Sequence, residues 1–331
     1  MSLPSIVQPL IIVGPAIVVW NGYSYYFESG VKSQYERETF DISDDFAGDL
    51  DTRHKSAKTV ISGKPVGMVK YLTTSSGISA MMPYKPSQVG SSILGTTGSP
   101  LSVVIHTQFG GASNTGQTIT YVRGGMTKLP TINLGSQKTL YGDIEFTCIG
   151  NPVTAALTSG AWQAIADSAF ADTTYDDSQI ITDIYTAGWG SSPYAAIGSH
   201  NGFEIDVPLK INEIRSDDYG ITDLIIDSLS PATCKFAPSS LTEAQLWTML
   251  NAQGSSVIQP GMSLGNAAQA LTIGGTGNGA HTLAVSIANA GPKSAGFTYD
   301  KKNNRIQEIM FTSRRTWTAG VPNANITFTV T

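Results

Sequence analysis

The pentapeptide Gly261-Met-Ser-Leu-Gly265 has the spacing of a nucleophile elbow. In that motif a tight turn between a strand and a helix exposes the serine hydroxyl, and an acid and a histidine later in the chain activate it. His281 is the only later histidine, and the residues before the pentapeptide have the composition of a loop. A chain with 34 glycines produces such matches by chance. The sequence therefore does not predict a serine hydrolase.

A second candidate motif is Gly275-Thr-Gly-Asn-Gly-Ala280, which matches the G-x-G-x-x-A fingerprint of dinucleotide sites. The fingerprint functions when its last glycine opens a helix whose N-terminus holds pyrophosphate. Here the following residues, His281 to Ile287, alternate in hydrophobicity like a strand. The pattern is therefore more typical of a flexible hairpin or inter-strand loop than of a nucleotide site.

Metal binding and acid–base catalysis need clustered side chains, and the ionisable residues of this chain are dispersed. The four histidines are His54, His106, His200 and His281, and no two have ligand spacing. The adjacent carboxylates Asp44–Asp45 and Asp217–Asp218 have the chemistry to bind a hard cation such as Ca²⁺, but an aspartate in a turn more often hydrogen-bonds its own backbone. No constellation combines a nucleophile, a base and an oxyanion donor. We therefore predict that the protein is not an enzyme and uses no cofactor or metal.

Length and composition favour a β-rich chain of two domains. The 331 residues suffice for two ordinary cores, and charged residues make up only 14%, against about 25% in typical soluble domains. A charge-poor surface is typical of a protein covered by neighbours, although Thr- and Ser-rich β proteins share this composition. The two cysteines, Cys148 and Cys234, make no disulfide framework and give no reason to expect secretion.

The N-terminal stretch from Ile6 to Trp20 is apolar but interrupted by prolines. It is too short to span a bilayer and lacks a preceding basic region, so we expect a buried or subunit-covered arm.

Charge is distributed unevenly along the chain. Between Lys138 and Lys210 there are acidic residues but no Lys or Arg, whereas the C-terminal part is basic. No basic stripe interleaved with aromatic residues is present, so specific nucleic-acid binding is not expected. The asymmetry is consistent with packing of identical subunits and equally with uneven solvent exposure.

An internal repeat organises the chain. One copy begins at Gly30 and the other at Gly202, and each continues as an alternating strand to a Ser-Asp-Asp-aromatic motif followed closely by glycine. Each copy then returns as a second strand, Ala57 to Ile61 or Leu224 to Leu229. Ser, Asp and Gly are turn-forming residues, so each copy predicts a long β-hairpin.

A helix and further strands are predicted after each hairpin. We expect helices at Ser87–Leu94 and at Leu241–Leu250, the latter with Ser240 as N-cap and Glu243 completing a capping box, and a bridging helix at Gly160–Ala171. The predicted strands are Ser102–His106, Thr118–Val122, Thr131–Leu134 and Asp143–Cys148 in the first half, and Thr282–Ile287, Gly296–Tyr299, Arg305–Thr312 and Asn325–Val330 in the second. The expected fold is mainly β (α+β), with tandem domains at residues 1–155 and 156–331.

The repeated hairpin, helix and strands resemble the tail-tube proteins of long-tailed phages, including the variety with two tube domains in one subunit. The stretches most similar to that family are Leu140–Cys148, Asp176–Trp189 and Leu241–Leu250. The resemblance implies two β-sandwich or half-barrel domains, each with a long hairpin and one flanking helix. It further implies homotrimeric, pseudo-hexameric rings that stack axially into a virion tail tube, assembled in the host cytoplasm. DNA would pass through a neutral or acidic lumen without specific binding, and other tail proteins would be partners; no membrane is involved.

In that family a long loop between the hairpin strands reaches the next ring. The corresponding loops here would be Asp41–Lys55 and Arg215–Asp223. The residues expected at inter-ring or inter-subunit contacts are Ser43, Asp44, Asp45, Phe46, Asp49, Asp51, Arg53, Ser216, Asp217, Asp218 and Tyr219.

Two other interpretations remain open from the sequence. One is a different phage structural part, such as a tail terminator, a distal-tail ring or a capsid decoration protein. The other is a secreted β-sandwich that binds carbohydrate, with stacking platforms drawn from Trp20, Trp162, Trp189, Trp247 and Trp317. Because these tryptophans are spread over both halves, we expect them to be core or interface anchors instead.

Overall fold

The computed structural model describes sixteen segments of the chain. They are residues 16–28, 30–44, 48–65, 81–96, 98–108, 116–135, 141–157, 185–190, 193–217, 219–251, 269–276, 282–298, 305–313, 317–318, 321–322 and 326–330. These segments are mainly β-strand, as the composition predicts. The predicted bridging helix at 160–171 and most of the N-terminal arm lie outside them.

Among the described residues, twelve strands belong to the first half. They are β1 (Ala16–Trp20), β2 (Tyr23–Tyr26), β3 (Lys32–Asp44), β4 (Gly48–Gly63), β5 (Gly95–Thr96), β6 (Ser99–Pro100), β7 (Val103–Gln108), β8 (Gly116–Tyr121), β9 (Arg123–Lys128), β10 (Ile132–Leu134), β11 (Ile144–Ile149) and β12 (Val153–Leu157). Within β7 the apolar residues Val103 and Ile105 are buried and alternate with partly exposed neighbours, which is the period of a half-buried strand.

In its described segments, the second half contributes eleven strands and one α-helix. They are β13 (Tyr185–Trp189), β14 (Ile197–Asp206), β15 (Leu209–Ser216), β16 (Gly220–Leu229), β17 (Thr233–Pro238), helix α1 (Glu243–Asn251), β18 (Gln269–Thr276), β19 (Thr282–Thr298), β20 (Arg305–Ser313), β21 (Trp317–Thr318), β22 (Val321–Pro322) and β23 (Ile326–Val330). The predicted strands of both halves are present with shifts of a few residues at their ends, and the two predicted strands within 282–299 form one strand, β19.

Six strands of the second half close into a ring. Going round it, β14 pairs with β13, β13 with β18, β18 with β19, β19 with β20, β20 with β17, and β17 with β14. The long strand β19 makes this possible because its first part pairs with β18 and β23 and its last part with β20. Closure leaves no free edge within the ring.

The first half has the same strand order, divided into two sheets. One sheet has the order β12-β8-β7-β1-β2 and the other β3-β4-β11-β9. The chain passes from the first sheet to the second between β2 and β3 and again between β8 and β9, where Val122 is exposed. Strands that change sheet at such corners are typical of packed β layers. Strands β2 and β3 together thus correspond to β14, and strands β8 and β9 together correspond to β19.

The two halves also match in the register of their paired strands. Trp20 lies opposite Val103, and Trp189 lies opposite Leu271. Each indole N–H then donates to a buried backbone oxygen across the core, from Trp20 to Gly124 at 3.0 Å and from Trp189 to Ala290 at 2.9 Å. These acceptors occupy matching places, on β9 and on the part of β19 that corresponds to it.

An aromatic pair lies at the centre of each half. Trp20 meets Phe146 edge-on at 5.7 Å and 60°, and Trp189 meets Phe311 at 5.8 Å and 63°. Edge-to-face contacts of this kind contribute about 0.5–1.5 kcal/mol beyond the burial of apolar area. The centre of each half is therefore packed around an equivalent tryptophan.

Helix α1 packs on the second half, close to the position predicted for it. Leu246 and Met249 are fully buried against the core. Its cap differs from the prediction: Thr242 Oγ1 accepts from the Gln245 amide and Gln245 Oε1 accepts from the Thr242 amide, at 3.2 and 2.9 Å. Ser240 Oγ instead accepts from the Gly198 amide at 3.1 Å, so the reciprocal cap lies two residues later than expected.

The helix predicted at Ser87–Leu94 is wrong. Only Pro86–Gln88 form a single 3₁₀ turn, and a turn with Gly90 at φ +87° follows it. Ser92 makes an antiparallel bridge to Ile225 of β16. The Ser- and Gly-rich sequence has weak helix propensity, and the backbone hydrogen bonds that β16 offers decide its conformation.

The two halves form one continuous structure among the described residues. Strand β10 of the first half pairs antiparallel with β14 of the second, with Ile132 opposite Ile205 and Leu134 opposite Phe203. All four of these side chains are buried in a core that extends through both halves.

Candidate assembly interface

The first hairpin is a two-stranded ribbon formed by β3 and β4. Phe40 lies opposite Arg53, Ile42 opposite Asp51, and Asp44 opposite Gly48. Of the predicted contact residues, Ser43 and Asp44 end β3, while Asp49, Asp51 and Arg53 lie in β4. Asp45 and Phe46 fall outside the described residues.

The second hairpin, β15 and β16, ends in a three-residue turn. Ser216 pairs with Gly220, and Ser216 Oγ accepts a hydrogen bond from the Tyr219 amide at 3.1 Å. Gly220 has φ +68°, the left-handed conformation that glycine adopts without a steric cost. Tyr219 is 73% exposed at the tip. Asp217 lies in this turn, and Asp218 falls outside the described residues.

The predicted long loops, Asp41–Lys55 and Arg215–Asp223, are wrong for most of their length. In the first hairpin the described residues of that range belong to the ribbon strands, with Leu50 and Lys55 at register shifts, and in the second the strands end at Ser216 and restart at Gly220. The prediction relied on polar composition. Polar residues do not prevent pairing in a ribbon, because its ladder uses only backbone groups.

The second hairpin docks on the first half of the chain through backbone hydrogen bonds. The amide of Gly90 donates to Ile226 O at 2.8 Å, that of Ile226 to Ser91 O at 3.0 Å, and that of Ile93 to Leu224 O at 2.9 Å. Residues 90–93 thus cover the outer edge of β16 with backbone hydrogen bonds and an isolated bridge at Ser92. Edge coverage of this kind provides affinity through the main chain.

A small apolar cluster lies under this contact. Ile93 and Leu94 of the first half pack against Ile221, Leu224 and Ile226 of β16, and all five are buried. We call this group the docking cluster. Burying each large aliphatic side chain contributes about 1.5–3 kcal/mol, so the cluster is the main apolar anchor of the second hairpin.

Two polar contacts accompany the docking cluster. Ser92 Oγ donates to Asp223 Oδ1 at 2.6 Å, and Lys58 of β4 forms an ion pair with Glu213 of β15. Burial pushes the pKa of Glu213 up, but hydrogen bonds and charges from Lys58 and Arg215 outweigh it, so this pKa lies below its ordinary value. Glu213 is therefore ionised at neutral pH and links the halves.

The residues singled out for chemistry do not come together into a reactive site within the described part of the chain. In the described ranges no three His, Cys, Asp or Glu side chains are grouped so that they could hold a metal. Cys148 and Cys234 are free, buried thiols, and burial raises the pKa of both, which makes them poor nucleophiles. The Gly261–Gly265 motif lies outside the described residues.

The glycine-rich motif at 275–280 connects two antiparallel strands. Thr276 of β18 lies opposite Thr282 of β19, so a strand rather than a helix follows the motif. The predicted strand after the motif is therefore present, in the place where pyrophosphate binding requires a helix N-terminus, and residues 277–281 lie outside the described residues.

The tryptophans occupy different environments. Trp20 and Trp189 are buried core residues, as expected, and offer no platform for a sugar. Trp247 is 46% exposed on α1, and Trp317 lies in β21. Trp162 lies outside the described residues.

Sequence reasoning missed residues 90–94 as the partner of the second hairpin. The only local signal was a short apolar pair, Ile93–Leu94, between glycines, which is too short to show a period.

None of the helices in the described residues has the length and hydropathy of a membrane span. Comparison with protein-family models and with curated protein sequences gives no match.

Proposed function

We propose that this chain is a non-catalytic structural subunit that polymerises into stacked rings to form the tail tube of a phage, through which DNA passes. Its two halves, residues 1–155 and 156–331, act as tandem tube domains. Three copies then build a pseudo-hexameric ring, which is assembled in the host cytoplasm and retained in the virion tail.

The observation that carries this proposal is the repetition of one unit within the chain. Both halves have the same order and register of strands around Trp20 or Trp189, and both extend a hairpin. The hairpin of the second half docks on the first half. A contact between one unit and a different surface of the next is heterologous, and such a contact generates rings or filaments.

Passage of DNA is supported by an uncharged sheet face in the second half. On one row across the sheet Gly188, Thr272, Ser286 and Thr327 lie side by side, and the adjoining row is Thr186, Gly274, Ala284 and Thr329. All eight residues are exposed or partly exposed. A wall without cations does not bind phosphate, so a polyanion can slide along it.

The matching face of the first half also lacks charge. Val19, Val104, Thr120 and Val153 lie side by side across it, with His106 in the adjoining row. Burial lowers the pKa of His106, which keeps this imidazole neutral at physiological pH. Both halves therefore present the same neutral character on corresponding sheets.

Negative-stain electron microscopy of the concentrated, purified protein tests the proposal. We expect tubes with a regular axial repeat, or rings about as wide as those tubes. A protein that light scattering finds to be a monodisperse monomer at high concentration would contradict it. Isolated rings that never stack would instead favour a tail terminator or a distal-tail ring.

A further inference from the structure

The two hairpins differ in what covers their outer strand. The outer edge of β16 is covered by residues 90–93. Strand β11 pairs with β4 only from Lys58 to Gly63, so the edge from Gly48 to Ser56 has no paired strand within the described part of the chain. We call β3 from Arg37 to Asp44 together with β4 from Gly48 to Ala57 the ribbon arm.

A two-stranded ribbon of this length needs a partner. An isolated hairpin is marginally stable in water at best, and an uncovered edge is a template for pairing with another chain. The ribbon arm has the same place in the first half that β15 and β16 have in the second, where a strand and an apolar cluster cover the hairpin.

We propose that the ribbon arm docks on the second half of another copy of this chain, in the arrangement in which the second hairpin docks on the first half of its own chain. The inference deepens the proposed function, because it rests on self-assembly and names the surfaces that meet. The contact is head-to-tail, so the arm of each copy is used once and the second half of each copy receives one arm.

Register identifies the positions that should meet. Asp41 follows Gly30 by the same number of residues as Glu213 follows Gly202, and each lies the same distance before the end of its strand, at Asp44 or Ser216. In the docked hairpin, the strand β15 that contains Glu213 lies beside β9. Glu213 itself forms an ion pair with Lys58 of β4. In the inferred docking, the strand that contains Asp41 therefore lies beside the part of β19 that corresponds to β9.

That part of β19 contains a cation at the surface. The indole acceptors Gly124 and Ala290 align β9 with residues 290–294 of β19, and Lys293 in this stretch is exposed. The ribbon arm is acidic near its tip: from Glu38 to Thr52 it contains five carboxylates, Glu38, Asp41, Asp44, Asp49 and Asp51, and no Lys or Arg. Opposite charges at these positions favour this pairing of copies over others.

Disulfide cross-linking between two variants tests the geometry. We expect Asp41→Cys and Lys293→Cys proteins to form a cross-linked dimer when they are mixed under oxidising conditions, and neither to do so alone. The native cysteines are buried and give little background. Asp143→Cys, at an exposed loop position, replaces Asp41→Cys in the control mixture, which should stay uncross-linked.

Charge reversal provides an independent measurement. Asp41→Lys and Lys293→Glu should each raise the concentration at which light scattering detects assembly about tenfold, as loss of an interfacial ion pair does, and the double variant should recover most of the loss. Asp143→Lys should leave that concentration unchanged. The proposal would be overturned if the single variants assembled at the same concentration as the control. It would also be overturned if the double variant needed a higher concentration than either single variant.

The outcomes separate this inference from the proposed function. Tubes that form without the mixed cross-link would overturn the docking inference and leave the tube intact. Mixed cross-links in a protein that forms neither rings nor tubes would support the docking and overturn the tube. A protein that remains monomeric in both assays contradicts both.

Discussion

At the scale of single residues, the equivalent tryptophans show how one core is built twice. Trp20 and Trp189 each fill the centre of a half, and each donates its indole N–H to a buried carbonyl oxygen, of Gly124 or of Ala290. A tryptophan suits this place because its large apolar area comes with one donor that can reach a partner. This hydrogen bond fixes the orientation of each indole ring, which Phe146 or Phe311 then contacts edge-on.

Replacing these indoles should destabilise both halves to a similar extent. Trp20→Phe and Trp189→Phe leave a buried acceptor without its donor, so each should lower the free energy of unfolding by about 1–3 kcal/mol. Urea unfolding followed by circular dichroism measures this. Trp247→Phe is the control: its N–H donates to Glu243 at the surface, and its effect should stay within about 0.5 kcal/mol. If all three substitutions lowered the free energy of unfolding equally, the stabilising role of the two buried indole hydrogen bonds would be contradicted.

At the scale of elements, the second hairpin depends on contacts made far away in sequence. Leu224 is buried in the docking cluster, whereas Ile214 on the same hairpin is exposed. The backbone bonds to residues 90–93 hold the edge of β16, and the cluster excludes water from the same surface. A hairpin that lacked both contacts would be marginal by itself.

Truncating the buried leucine should therefore weaken the docking. Leu224→Ala should cost about 2–5 kcal/mol of unfolding free energy, the range for a buried leucine that leaves a cavity. Hydrogen exchange of the Ile226 amide, which donates to Ser91 O, should speed up in the same variant. Ile214→Ala should change both quantities little, and equal losses in the two variants would show that the cluster does not anchor the hairpin.

At the scale of the whole molecule, a charged pair and a strand join the halves. Strand β10 of the first half pairs with β14 in the ring of the second half. Glu213 of the second hairpin meets Lys58 of the first half. Because the low pKa of Glu213 depends on Lys58 and Arg215, the stability that this pair contributes belongs to the docked arrangement.

Acid should remove that contribution. A carboxyl with a lowered pKa in the folded state stabilises the protein above its ordinary pKa of 4.5, and the effect is lost as pH falls through the folded-state value. At neutral pH Glu213→Gln should lower the free energy of unfolding by about 1.5–3 kcal/mol, the range for hydrogen bonds to charged groups. The difference between wild type and variant should shrink below pH 4.5. Urea unfolding at several pH values measures this difference in unfolding free energy. A difference that stays constant with pH would contradict the role of the Glu213 carboxylate in joining the halves.

Local pattern was enough to predict most strands, both hairpins and helix α1. Alternation of apolar residues predicted β7, β11 and β20 within a few residues, since a half-buried strand shows its period in the sequence. The N-cap of α1 was placed two residues early because Ser240 and Thr242 are both good caps, and the choice depends on Ser240 bonding the Gly198 amide. Polar composition was misleading for the ribbon arm, since backbone pairing does not depend on it.

By itself the sequence determined a mainly β chain with a repeated hairpin, because hydrophobic period and turn residues act locally. Only the tertiary structure decided that residues 90–93 hydrogen-bond along the edge of β16, that β10 pairs with β14, and that Glu213 meets Lys58. These contacts join segments that lie far apart in the chain, and an edge strand recognises its partner through backbone groups common to every residue. No side-chain pattern marks such a partner in advance, so the folded core has to bring the edges together.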